Sequence, residues 1–276
     1  GKWLALAEEA APDYCFPHRL EDRLALQQAI EKTKVHSKAL YYLGNFWYDR
    51  LQAERAIACW EESVRQEPGF ATQHRNLALA YFNKRAMYQE ALREMETAFS
   101  LNVKDARVFM ELDQLRKKLH VPVRERLSHM ERYPDLVTAR DDQYLEYCTV
   151  LNALEEYEKA LSLLLARRFH PWEGGEGKVP AQWRIAMTQL ARQQMQRGDY
   201  PGAVRRLREA AGAYPENFGE GKLNGAQEND IYYLLGIAFK DMGDADSAKA
   251  AFEKAATGLS EPVGMMYYND QPPEMI

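Results

Sequence analysis

Residues 37–70 read SKALYYLGNFWYDRLQAERAIACWEESVRQEPGF, and their spacing decides the fold. Counted from Ser37 as position 1, Leu40, Leu43, Gly44, Trp47, Ala56, Trp60, Ser63 and Pro68 fall at positions 4, 7, 8, 11, 20, 24, 27 and 32. Apolar residues three and four apart place one face of each of two helices inward. Small residues such as Gly44 and Ala56 let the two backbones approach closely. The rings of Trp47 and Trp60 fill the space beside them, and Pro68 stops the second helix.

The pattern returns down the chain. Leu77, Ala78, Tyr81, Ala91, Met95 and Ala98 repeat it after one inserted residue in the turn. Tyr144, Tyr147, Cys148, Leu151, Ala160 and Leu164 repeat it again, followed by Leu190, Ala191, Gly198, Tyr200, Ala203, Leu207, Ala210 and Pro215. A last copy holds Tyr232, Leu235, Gly236, Phe239, Gly243, Ala248, Phe252 and Ala255. A small-and-large alternation with a period of about 34 residues is the tetratricopeptide pattern. It predicts an all-α chain, an α-α right-handed superhelix of helical hairpins, with no strand of useful length. One array over 1–276 is expected: a leading helix at 20–34, repeats at 37–70, 71–104, 141–172, 184–217 and 229–262, and a degenerate unit at 105–137. Residues 263–276 read as the start of a continuation, because an array normally protects its last apolar face.

Composition narrows the function. The chain is 46% hydrophobic and 28% charged, which suits a folded protein, and its net charge of −5 offers no global positive field for nucleic acid. No apolar run reaches the roughly 20 residues of a membrane helix. Gly1-Lys2-Trp3-Leu4 has no signal-peptide anatomy and no initiator Met, so it says little about a leader; a cytoplasmic setting is the expectation. Cys15, Cys59 and Cys148 stand far apart and read as small hydrophobes. The histidines are scattered, without a His-Glu-x-x-His pattern, so no metal and no cofactor is expected. No Gly-x-Ser-x-Gly elbow is present either, and no catalytic residue is assigned.

Two connections exceed what a plain repeat needs. Phe169 to Lys178 and Tyr214 to Asp230 each contain Gly-Glu-Gly-Lys, at 175–178 and 219–222. Neither is a phosphate loop: Trp172 stands where the first glycine of that motif belongs, and Val179 and Leu223 follow the lysines. Glycines beside acids, amides and aromatics suit a ligand-contacting loop. The candidates are Trp172, Glu173, Glu176, Lys178, Glu220, Lys222, Asn224, Gln227, Glu228 and Asp230. Internally, Lys178 or Lys222 would pair with Glu220 or Glu176. Externally, the acids would converge on one face, and paired carboxylates within about 5–10 Å could serve a sugar as acid and base.

In Tyr14 to Pro17, Tyr42 to Asn45, Phe169 to Lys178, Gly219 to Asp230 and Tyr267 to Pro273, the sequence resembles the repeat region of large bacterial tetratricopeptide proteins that carry an uncharacterised domain before their repeats. The resemblance implies a binding scaffold, with carbohydrate metabolism as an associated theme and no settled activity. In such arrays the first helices of the hairpins line a groove. Lys38, Tyr41, Asn45, Tyr48 and Asp49 would line it here, with Arg75, Asn76, Leu79, Phe82 and Asn83 from the next repeat. Asn45 and Asn76 match the asparagines of the carboxylate clamp of chaperone-binding relatives. Tyr41 stands where that clamp has a lysine, and the lower pair falls near Arg107 and Glu111. The expected partner is therefore a protein or an extended peptide, with a carbohydrate as the alternative.

Overall fold

A computed structural model describes residues 2–10, 12, 15–222, 226 and 228–257. Asn224, Gln227 and the stretch 258–276, with Tyr267 and Tyr268, lie outside the described residues. The described residues are helical, with no strand among them. Their contacts divide the chain into two compact units, Gly1–Pro122 and Val123–Ile276. The unit read at 105–137 straddles that division.

The first unit opens with α1 (Lys2–Glu9) and α2 (Leu20–Lys32), then two hairpins, α3 (Ser37–Asp49) with α4 (Ala53–Gln66) and α5 (Ala71–Ala80) with α6 (Tyr88–Leu101), and ends on α7 (Ala106–Lys118). The sequence did not announce α1, which lies outside the repeat pattern and is tied to α3 by polar contacts. Glu8 accepts the Lys38 backbone N–H at 2.7 Å, and the Lys38 ammonium donates to the Ala10 carbonyl at 2.8 Å. The leading helix ends at Lys32, two residues before the expected boundary.

The second unit begins with α8 (Val123–Arg132) and the short α9 (Pro134–Thr138). Three hairpins follow: α10 (Asp141–Ala153) with α11 (Tyr157–Ala166), α12 (Lys178–Gln196) with α13 (Tyr200–Ala210), and α14 (Asn229–Asp241) with α15 (Ala245–Ala255). The first helix of the repeat read at 184–217 extends upstream of that bound. Helix α12 starts at Lys178, so this lysine is helical, and the connection before it covers 167–177.

Each hairpin closes over the small-to-large contact read from the sequence. A Cβ on Gly44 would strike the Trp60 ring, and a Cβ on Gly236 the Phe252 ring. Ala56, Ala78, Ala91, Ala160, Ala191 and Ala203 are fully buried. The turns share one geometry as well. Leu51, His120, Glu155, Gly198 and Gly243 adopt positive φ, and the following N–H reaches back five residues, as in Gln52 to the Trp47 carbonyl (2.9 Å) and Asp244 to that of Phe239 (2.9 Å). This is the Schellman way of satisfying the last carbonyls of a helix. The inserted residue of the second hairpin enlarges that ring by one. Helix α5 runs into a π-helical turn over Tyr81–Arg85, Ala86 takes the positive φ, and Met87 reaches back six residues to Tyr81.

Candidate binding surfaces

In the first unit, side chains of α3, α5 and α7 form one hydrogen-bonded ladder. Trp60 Nε1 donates to the Tyr41 carbonyl and to Asn45 Oδ1, both at 3.2 Å. Asn45 Oδ1 also accepts from Asn76 Nδ2 at 3.1 Å. Beside it, Arg75 donates to Asn76 Oδ1 at 3.4 Å and grips Glu111 with a two-pronged fork, its Nε lying 2.5 Å from Oε2. Arg107 reaches the same carboxylate at 3.1 Å. Planar guanidinium matches planar carboxylate in this geometry, so Glu111 is held and Arg75 is neutralised.

The groove residues read from the sequence therefore separate. Asn45 and Asn76 stand on the ladder, half-buried, with Arg75. Tyr41 does not line a surface: it is buried, with its ring against Tyr42 and, 4.9 Å away edge-on, Phe70, because the segment entering α5 folds over it. Lys38 is engaged by the end of α1. Tyr48 packs its ring 5.4 Å from Trp60, and Phe82 lies 5.2 Å from Tyr88. Lysines cover both: Lys84 Nζ is 6.0 Å from the Tyr48 centroid and Lys118 Nζ 5.1 Å from that of Phe82. The π-helical turn that carries Lys84 is clamped to α4. Tyr81 donates to Glu61 at 2.8 Å, and Arg85 donates to Glu61 at 3.0 Å and to Glu54 at 2.6 Å. Its hydrogen bond to Arg85 holds the Glu54 carboxyl below its usual range, while burial, followed by Glu61, pushes the Tyr81 hydroxyl well up.

In the second unit the two long connections hold each other. The Phe169 N–H donates to the Asn217 carbonyl at 2.8 Å, and the Asn217 amide donates to the carbonyls of Leu164 and Arg167. Phe169 and Phe218 are buried 6.4 Å apart, and Trp183 meets Phe218 at 5.9 Å and Tyr214 at 6.1 Å. Trp172 covers Gly175, where any Cβ would strike its ring. The twin tetrapeptides meet through one bond, Gly177 N–H to Glu220 at 2.8 Å. Burial raises the Glu220 carboxyl above its usual range; the Gly177 N–H opposes the shift and Glu176 adds to it.

The lysine pairing differs from expectation. Lys222 pairs with Glu228 and donates to the Ala211 carbonyl at 2.6 Å, rather than meeting Glu176 or Glu220. The return of the chain into α14 brings Glu228 beside it. Asp230 pairs with Arg184 at 3.1 Å, while Glu173, Glu176 and Lys178 are exposed. No group of three or more potential ligands for a metal occurs among the described residues, and no described helix is long and apolar enough to cross a membrane.

Residues 230–257, within the last hairpin, match the sequence profile of the family described as tetratricopeptide repeat. The chain has the tetratricopeptide-repeat fold. Among solved structures it is similar to Naa15/Naa10 bound to HypK-THB, at 13% identity and a TM-score of 0.54, over 85% of this chain and 34% of that one. It thus spans about a third of that neighbour's length. It is also similar to YrrB, a tetratricopeptide protein with an unusual peptide-binding site, at 17% identity and a TM-score of 0.49, over 83% of this chain and 98% of that one. A tetratricopeptide repeat protein from Parabacteroides merdae shares 13% identity with a TM-score of 0.45, over 84% of each chain.

Proposed function

We propose that the chain is a protein-binding repeat scaffold, and that the ladder face of α3, α5 and α7 holds an extended peptide segment of its partner. The Asn45–Asn76 pair carries this reading. Asn45 Oδ1 takes two donors, which fixes its amide and leaves Nδ2 without a protein partner among the described residues. A pre-oriented amide donor is what a peptide carbonyl needs, and an extended peptide offers such carbonyls at regular intervals. Asn76→Ala removes one of the two donors that orient Asn45. Retention of the full chain on an array of extended peptides should fall about tenfold with Asn76→Ala, the worth of one or two hydrogen bonds. Unchanged retention with both Asn76→Ala and Asn45→Ala would sink the reading.

A sugar held at the twin loops of the second unit is the second reading. One observation favours it, the half-buried Glu220 carboxyl beside Glu176, raised toward the protonated state. A glycan screen in which Glu220→Gln retains the parent's pattern would remove it.

A further inference from the structure

Along α5, the π-helical turn and α7, four arginines are neutralised by carboxylates: Arg75 and Arg107 by Glu111, Arg85 by Glu54 and Glu61, Arg116 by Glu96. Lys84 and Lys118 are different. Both are exposed, and among the described residues neither ammonium has a carboxylate partner; each stands over a ring instead. The arrangement occurs twice. Tyr48 and Phe82 are the twelfth residues of successive repeats, and each is covered by a lysine from the end of the next first helix.

The duplication is not a simple consequence of the repeat. Lys84 belongs to the π-helical turn, whose extra residue sets where the end of α5 points, and Tyr81 and Arg85 fasten that turn to α4. π-helical turns are rare and occur often at functional sites. The ring face attracts the ammonium and holds it in place without cancelling its charge. Two exposed ammoniums thus stand beside Tyr48 and Phe82 in a chain whose net charge is −5. Water solvates both ammoniums, and a carboxylate brought by a partner can replace that water.

We infer that the peptide held on this face is acidic, with carboxylates placed to meet Lys84 and Lys118 over Tyr48 and Phe82. The inference rests on the ladder-face reading and adds the chemistry of the partner. The peptide backbone lies along the amide ladder, and its acidic side chains reach the two lysines at the rim. Rim charges of this kind set partner choice and encounter rate more than the depth of binding.

The experiment uses the full chain and three fluorescein-labelled peptides of about twelve residues, alternating Ser with Glu, Gln or Lys, read by fluorescence anisotropy. The Glu peptide should bind about tenfold more tightly than the Gln peptide at low salt, and lose that advantage as salt is raised. Lys84→Glu with Lys118→Glu should remove the preference, and Lys84→Arg with Lys118→Arg should keep it. Thermal melts of the arginine pair should match the parent, and those of the glutamate pair should fall only slightly, since each exposed lysine loses one ring contact. If the three peptides bind equally and Asn76→Ala weakens them all, the acidic preference is overturned while the ladder face survives. If none binds, or Asn76→Ala changes nothing, the ladder-face reading falls and takes the inference with it.

Discussion

The hairpins α3–α4 and α14–α15 solve one packing problem with different chemistry. Both pass a first helix over a large ring at a glycine, Gly44 over Trp60 and Gly236 over Phe252. Phe252 can only fill space. Trp60 fills the same space and also sends its Nε1–H to the Tyr41 carbonyl and to Asn45 Oδ1, so the packing contact is wired into the ladder. The turns contrast in the opposite direction. The last hairpin turns on Gly243 and caps α15 with Asp244, whose carboxylate accepts the Ser247 N–H at 3.1 Å. The first turns on Leu51, forced into positive φ, and Gln52 makes no side-chain cap. The last hairpin is thus a well-formed structural unit, and the first keeps a strained turn beside a polar junction.

The shared contact predicts the largest effect. Gly44→Ala and Gly236→Ala should each cost roughly 1–3 kcal/mol, because the new Cβ strikes a ring and helix or ring must move. Thermal melts measure the cost, and equal melting temperatures for parent and variants would break the comparison. The binding readout should then separate the two. Gly44→Ala displaces Trp60 from Asn45 and weakens peptide retention, whereas Gly236→Ala leaves retention intact in whatever fraction stays folded.

These contacts were legible in the sequence because they depend on residue size at fixed spacing, and size is written in the chain. Asn45 and Asn76 could be placed for the same reason, by position in the repeat. The Arg75–Glu111 fork was not legible: it joins residues 36 apart, and several acids could have met that arginine. Tyr41 was misplaced because position alone puts it on the groove, while Phe70, in a connection without a repeat rule, covers it. The inserted residue near Ala86 was visible, but a turn may absorb an insertion in several ways, and only the structure gives the π-helical one. In the long loops the repeated tetrapeptide was plain. Lys222 nevertheless chose Glu228, because charge pairing follows the path of the chain and no periodicity records that path.

An intermediate effect tests the wiring itself. Trp60→Phe makes the first junction chemically like the last. Most of the ring volume remains, so the melt should fall by about 1 kcal/mol, the usual net worth of the lost hydrogen bonds. Asn45 loses a fixing donor, so peptide retention should fall by more than the melt implies. Retention that simply follows stability would mean that the indole N–H serves packing alone.

The smallest effect concerns the turn, and its sign is positive. A left-handed conformation costs a non-glycine residue about 1–2 kcal/mol, partly offset by the greater freedom that glycine loses on folding, roughly 0.5–1 kcal/mol. Leu51 is 84% exposed, so its side chain contributes little packing that a glycine would forfeit. Gln52 already has the backbone of a capping aspartate, φ −92° and ψ 63° against −88° and 83° at Asp244 and −84° and 65° at Asp199. A carboxylate there would accept the Arg55 N–H, as Asp199 accepts that of Gly202 at 2.9 Å, and such a cap stabilises by about 1 kcal/mol. Leu51→Gly with Gln52→Asp should therefore raise stability by about 1 kcal/mol in a thermal or urea melt. Peptide retention should not change, since neither residue belongs to the ladder. A gain in stability accompanied by loss of retention would show that the strained turn serves binding, and the division drawn between turn and junction would have to be abandoned.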